Sequence, residues 1–209
     1  MGKNEKLSNT YNGNLTDKQI AEGINACKKN GRQLVSDAQI LYDHKRYSSA
    51  IALAILAIEE FGKEPILRKF AGIAAGDSTS KLWNQLRSHK DKNSHWKITD
   101  FLKEGLAKGV EELFDLTEDP NSNETDKLDA LKQNSFYSRF TPRNGWEVPN
   151  ASKADAQRMI EIAENSGGLL PEVTEEQITE LRALLNGPDL SRETMKVFTD
   201  KWGHKDVPL

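Results

Sequence analysis

The stretch RYSSAIALAILAIEEFGK, Arg46 to Lys63, is an almost wholly apolar segment that carries two adjacent glutamates near its end. Wound as a helix at ~100° per residue, it sets Ile51, Ala52, Ile55, Leu56 and the later Ile66 beside Glu59, and Leu53 and Leu56 beside Glu60. Neither carboxylate has a clearly polar face, so both are expected to be at least partly buried. A buried carboxylate is costly unless paired and hydrogen-bonded, so the rest of the chain has to supply cations. The plainest partner is Lys63, four positions after Glu59, the spacing of an ordinary helix ion pair.

A second source of cations is KLWNQLRSHKDKNSHWK, Lys81 to Lys97, which holds Arg87, His89, Lys90, Lys92 and His95 against one acid, Asp91. Leu82, Trp83 and Leu86 share one side of a helix here, and His89 continues that side, so it is expected to point towards the core. Lys92 follows His89 by three and can reach the same place. Two readings of His89 stand side by side: a satisfied core histidine, or a group that acts. Packing this helix on the apolar one brings Glu60, Lys63, His89 and Lys92 into one polar cluster.

Four strings in order, DHKRYSSAIALAILAIEEFGK (Asp43 to Lys63), SHKDK (Ser88 to Lys92), LKQNSFYSRF (Leu131 to Phe140) and NGWEVP (Asn144 to Pro149), resemble the AbiV family of phage abortive-infection proteins, within the HEPN-like group of helical domains. The resemblance covers roughly residues 34 to 165. It implies a helical bundle, a homodimer, and an intracellular bacterial defence role in which host growth or translation halts on infection. It also implies a phage-encoded activator protein as partner. Many HEPN relatives are metal-independent ribonucleases that use an arginine followed four to six residues later by a histidine. This chain departs from that pattern, because one residue separates Arg87 from His89 and seven separate it from His95.

Glu60, Lys63, His89 and Lys92 match the polar motif of the AbiV-like branch, and Lys132 and Tyr137 are further motif positions. The tyrosine hydroxyl is either a donor to the glutamate pair or an incidental part of a packed ring. In an enzyme version, His89 is acid or base, Lys63, Arg87 or Lys92 stabilises phosphate charge, and Glu59 or Glu60 orients them for RNA cleavage. In a binding version the cluster organises the bundle and toxicity comes from docking on a translation component or a phage protein. A purely structural or scaffolding helical protein is the third possibility. The departure from the arginine-to-histidine interval places binding slightly ahead of ribonuclease chemistry.

Composition fits these readings. The 209 residues are 36% hydrophobic and 29% charged, ordinary for one globular core, and the net charge of −3 argues against a general nucleic-acid coat. Charge is uneven, with five cations in 81–97 and seven acids without Lys or Arg in 111–126. Trp83 and Trp96 in the basic strip either stack on bases or pack inwards, and Trp83 shares the side of Leu82 and Leu86. The lone Cys27 excludes an intrachain disulfide and a cysteine metal cluster, and fits a reducing cytoplasm. Four histidines without an HExxH arrangement, and no Walker, GxSxG or Rossmann pattern, leave no metal or cofactor expected. The polar opening MGKNEKLSNT lacks the apolar core of an export signal, Lys6 breaks a myristoylation motif, and the apolar run from Ala50 to Ile58 is far short of the ~20 residues that span a bilayer. A cytoplasmic protein without membrane contact is expected.

The chain is expected to divide into a flexible polar arm, 1–15, a HEPN-like helical domain, 16–165, and a C-terminal helical appendage, 166–209, with the boundary at SGGLLPE. Thr16 with Gln19 forms a capping box that opens a long helix ending near His44, in which Gly31 allows an irregularity or a close crossing. Pro65 kinks the apolar helix or begins a continuation. Ile98 to Phe114 forms a further amphipathic helix. Leu128, Leu131, Phe136 and Phe140 mark a shorter one, after which Trp146 and Pro149 pack back from a turn-rich segment. Ser152 with Asp155, Thr174 with Gln177, and Ser191 start three more. Helix starts recur and alternating strand patterns are rare, so the fold class is all-α.

Overall fold

Thr16 opens the first helix with a reciprocal capping box: its hydroxyl accepts from the Gln19 N–H at 3.2 Å while its own N–H donates to Gln19 Oε1 at 3.0 Å. The computed structural model describes residues 11–74, 76–93, 124–167 and 171–187. The helices expected over 98–114 and after Ser191 lie outside the described residues, as do His95, Trp96 and His204.

Helix α1 (Asp17–Asp43) leads through a tight turn, with Lys45 in the left-handed region at φ 60°, into α2 (Tyr47–Phe61). After α2 come α3 (Lys63–Lys69), a 3-10 turn (Phe70–Gly72), α4 (Ser80–Arg87) and α5 (His89–Asn93). Then follow α6 (Glu124–Phe136), the strands β1 (Arg139–Thr141) and β2 (Gly145–Glu147), α7 (Lys153–Gly167) and α8 (Glu175–Leu185). Among the described residues the fold is an all-α bundle carrying one two-stranded hairpin.

Helix α2 is the hub. Ala50, Ile51, Ala54, Ile55 and Ala57 are fully buried because α1, α6 and α7 cover it on three sides, and its alanines let the neighbours approach closely. Each large side chain buried there contributes roughly 1.5–3 kcal/mol of transfer free energy. With Leu128, Met159, Ile160 and Ala163 these residues form one core cluster. A second unites the start of α1 (Ile20, Ile24) with Leu67, Phe70, Leu82 and the α8 residues Ile178 and Leu181. The segment before α8 is tied to α1 by Asn25, whose amide donates to Val173 O and accepts from Val173 N–H, both at 2.8 Å.

Glycine decides two close approaches. Gly31 of α1 and Gly167 of α7 both face the Phe61 ring, and a Cβ at either would overlap it, so α1 runs unbroken through Gly31 and the glycine serves a helix crossing. Gly62 separates α2 from α3, and a Cβ there would collide with the backbone carbonyl of Lys92, so α5 rests directly on this junction. Pro65 sits in the first turn of α3, where its missing N–H has no helical partner to lose.

Two expectations are corrected. Phe140 belongs not to α6 but to β1, where it faces Trp146 across an antiparallel pair at a ring separation of 5.8 Å. Trp146 does not pack back on the bundle: it is 77% exposed, and Gly145 at φ 75° turns the hairpin outward. Residues 11–13, within the stretch read as a flexible arm, are bonded by side chains of α4 and its N-cap, and Leu15 O accepts from Arg182 of α8. Among the described residues no helix is long and apolar enough to cross a membrane.

Candidate functional site

At the end of α2 the two glutamates part company. Glu59 turns inward, with its side chain 4% exposed, and cations from two other elements converge on it. His89, the first residue of α5, places Nδ1 2.6 Å from Glu59 Oε2. Lys92, one turn later, brings Nζ to 3.5 Å from the same oxygen. Lys132 of α6 donates to Glu59 Oε1 at 2.6 Å and pairs with Asp129 at 3.1 Å. Lys92 and Lys132 are both buried, so the carboxylates of Glu59 and Asp129 balance two buried ammonium groups.

Electrostatics follow from this geometry. Burial pushes the Glu59 carboxyl upward, but the hydrogen bonds from Lys132 and His89 and the charges of Lys132 and Lys92 outweigh it and hold the group below the usual glutamate value. Burial opposes the charged form of Lys132, and the Glu59 and Asp129 carboxylates overcome that and raise it above the usual lysine value. Each shift favours the charged pair.

His89 differs from the lysines. Its side chain is 56% exposed, not directed into the core. The reason is a break at Ser88, whose extended backbone (ψ 125°) ends α4 and restarts the chain as α5, so His89 does not continue the Leu82–Leu86 face. With the 2.6 Å contact to an ionised carboxylate, Nδ1 carries the proton and donates it to Glu59 Oε2, in preference to accepting from Lys132 at 3.4 Å. In the neutral ring this tautomer leaves the Nε2 lone pair open, so the arrangement can accept a proton or a hydrogen bond at a defined surface point.

The remaining expected residues separate. Lys63 pairs with Glu60 at 2.6 Å, not with Glu59, because the helix breaks at Gly62 and the i, i+3 partner lies nearer than the i, i+4 one. Glu60 therefore does not join His89. It lies beside Cys27, whose thiol burial pushes up to about 11, with the Glu60 carboxylate adding to the effect. Arg87 is held away by residues 11 and 12, with bonds of 3.0 Å to Tyr11 O and 3.1 Å to Asn12 Oδ1. Tyr137 is 64% exposed and meets Phe136 at a ring distance of 6.1 Å, so its hydroxyl is not placed at the glutamates. Asp129 escaped the sequence reading, although its position three residues before Lys132 on one helix is a usable signal. Among the described residues no three His, Cys, Asp or Glu side chains converge as a metal site requires.

Against known proteins, the chain matches the family model described as AbiV over residues 19–167, a span that contains every residue of the Glu59 cluster. No curated protein and no solved structure matches it. The helical bundle and the match over most of its length agree, and the chain belongs to the AbiV family of HEPN-like proteins.

Proposed function

We propose that this protein is an abortive-infection effector that halts growth of the infected cell by docking on a component of translation through the face that carries His89. Membership of the AbiV family supports the defence role. The docking mechanism rests on one observation: the cations around Glu59 point inward, with Lys92 and Lys132 buried and Arg87 engaged elsewhere. Among the described side chains, that surface presents an oriented imidazole whose partner cations Lys92 and Lys132 are buried, while the exposed Arg87 is bonded to residues 11 and 12. Two such chains form the working homodimer in the cytoplasm, and a phage protein acts as trigger. Helix α2 is covered by its own chain, so the support for a second copy lies in the exposed apolar face of the hairpin, Phe140, Trp146 and Val148.

A cell-free translation reaction tests this reading. Purified protein is expected to stop synthesis while the RNA in the reaction stays intact, and His89→Ala is expected to lose the effect. Unimpeded synthesis at micromolar protein overturns docking on translation.

The Glu59–His89 bond favours a second reading, ribonuclease activity. A histidine fixed by a buried carboxylate with Nε2 free is the arrangement of a general base towards an RNA 2′-hydroxyl. Incubation with total RNA in EDTA separates the two: His89-dependent cleavage selects the enzyme, and intact RNA selects docking.

A further inference from the structure

Three consecutive backbone carbonyls near the start of the described chain are each read by a side chain of one short helix. Tyr11 O accepts from Arg87 Nη2 at 3.0 Å, Asn12 O accepts from the hydroxyl of Thr79, and Gly13 O accepts from Trp83 Nε1 at 2.9 Å. Thr79, Trp83 and Arg87 are spaced four and four, so they form one stripe along α4 and its N-cap. The Tyr11 ring meets the Trp83 indole edge-on at 5.5 Å, the indole rests on Phe70 at 5.2 Å, and the Arg87 guanidinium lies 5.9 Å over the same indole.

We propose that Tyr11–Gly13 is a displaceable strap that packs on Trp83 and engages Arg87, and that its release frees the guanidinium beside His89 and so switches the effector on. Its hold is of an exchangeable kind. Most of the bonds go to main-chain carbonyls, which any extended peptide offers, and Tyr11 is itself 59% exposed. What it engages is what a recognition surface uses: an indole and a guanidinium, groups enriched among the residues that dominate binding energy at interfaces. Only Ser88 separates Arg87 from His89, so the two Cα atoms lie within about 7 Å. With the strap in place the guanidinium is committed to Tyr11 and Asn12. Once it leaves, the guanidinium is free to join the imidazole, and the indole one turn earlier on α4 loses its Tyr11 contact.

The inhibitory role rests on the His89 face being the working surface, but displaceability does not. The experiment therefore has two arms, both on the full chain carrying Tyr11→Ala and Asn12→Ala. In the first, a fluorescein-labelled peptide of residues 9–15, NTYNGNL, is titrated by anisotropy. It is expected to bind the variant at least tenfold more tightly than the wild type, where the tethered strap competes at a local concentration on the order of millimolar. Equal binding to both proteins, or to neither while circular dichroism shows a folded variant, overturns the strap. Tyr11→Ala alone, which loosens the strap and leaves the helix side intact, is the second variant should the double one not fold, and carries the same expectation. In the second arm, the strap variant is expected to arrest growth without phage at about one-tenth of the wild-type expression level, and His89→Ala in that background to abolish the arrest. Unchanged arrest in a variant that binds the peptide overturns the switch and leaves the His89 reading standing. Arrest that persists without His89 removes the working-surface reading, and the inhibitory role falls with it, whatever the peptide shows.

Discussion

His89 Nδ1 lies 2.6 Å from Glu59 Oε2 although thirty positions separate the two residues, and this single bond joins a buried charge network to the surface. Glu59 keeps Lys92 and Lys132 when the imidazole is removed. His89→Ala is therefore expected to abolish growth arrest while lowering stability by no more than about 1 kcal/mol, a melting shift of ~2–4 °C for a chain of this size. A plate growth assay with a thermal melt checks both halves, and an inactive variant that has simply unfolded would contradict the assignment.

Adjacent glutamates should behave very differently. Glu59→Gln leaves two buried ammonium groups short of their counter-charge and is expected to cost about 3–5 kcal/mol. Glu60→Gln breaks a partly exposed pair with Lys63 and should cost about 1 kcal/mol or less. Denaturant midpoints of the two variants, compared at equal slope, measure the difference.

The pH dependence of stability follows from the same network. The Glu59 value is depressed in the folded state, so its contribution is present above the unfolded glutamate value of about 4.3 and is lost as pH falls through the folded one. The Lys132 value is raised, so its contribution is full below the unfolded lysine value of about 10.4 and is lost as pH rises through the folded one. Melting temperature should be flat for this pair between about pH 5 and 10 and fall on both sides. Glu59→Gln should flatten the acid limb, and an unchanged acid limb would remove the network from control of it.

Gly62→Ala places a methyl group against the Lys92 carbonyl, and backbone gives way less readily than a side-chain tip. The variant is expected to lose about 1–3 kcal/mol through overpacking and to push α5 off the junction, lengthening the His89–Glu59 contact. Nitrogen NMR of the imidazole reports that contact directly, and a wild-type spectrum from the variant would count against the placement of α5.

Light scattering at micromolar concentration is expected to give about twice the 23.5 kDa chain mass. Trp146→Ala with Phe140→Ala should shift the species towards the monomer and leave the melt within ~0.5 kcal/mol of wild type, since both side chains are largely exposed. A dimer indifferent to these changes uses another surface.

Much of the fold was readable because its signals are local. The Thr16 and Thr174 capping boxes each reappear with both bonds made, and the apolar run of α2 marked the hub. The bond from the Asp155 N–H to Ser152 Oγ likewise begins α7. The pairing of site residues was less readable, because it depends on where helices stop. A continuous helix from Leu82 would turn His89 inward, and the extended backbone at Ser88 turns it out. An unbroken α2 would give Lys63 to Glu59, and the junction at Gly62 gives it to Glu60. The break at Gly62 is non-local, since a Cβ there would meet the Lys92 carbonyl that packs on it. Lys132 entered the reading as a motif position, and its part in the network appears only when α6 is laid beside α2.

The Phe61 ring, seated between Gly31 and Gly167, acts as a spacer whose thickness sets two helix crossings at once. The three positions are therefore tied as one unit of change. A larger residue at either glycine is tolerable only with a thinner side chain at 61, and a thinner side chain there opens a void that both outer helices must close. Single substitutions at these sites will each look severe, while Gly31→Ala combined with Phe61→Leu should recover part of the loss. Just before Phe61 on the same helix stands Glu59, so a drift in ring size would also reach the carboxylate that holds the imidazole in place.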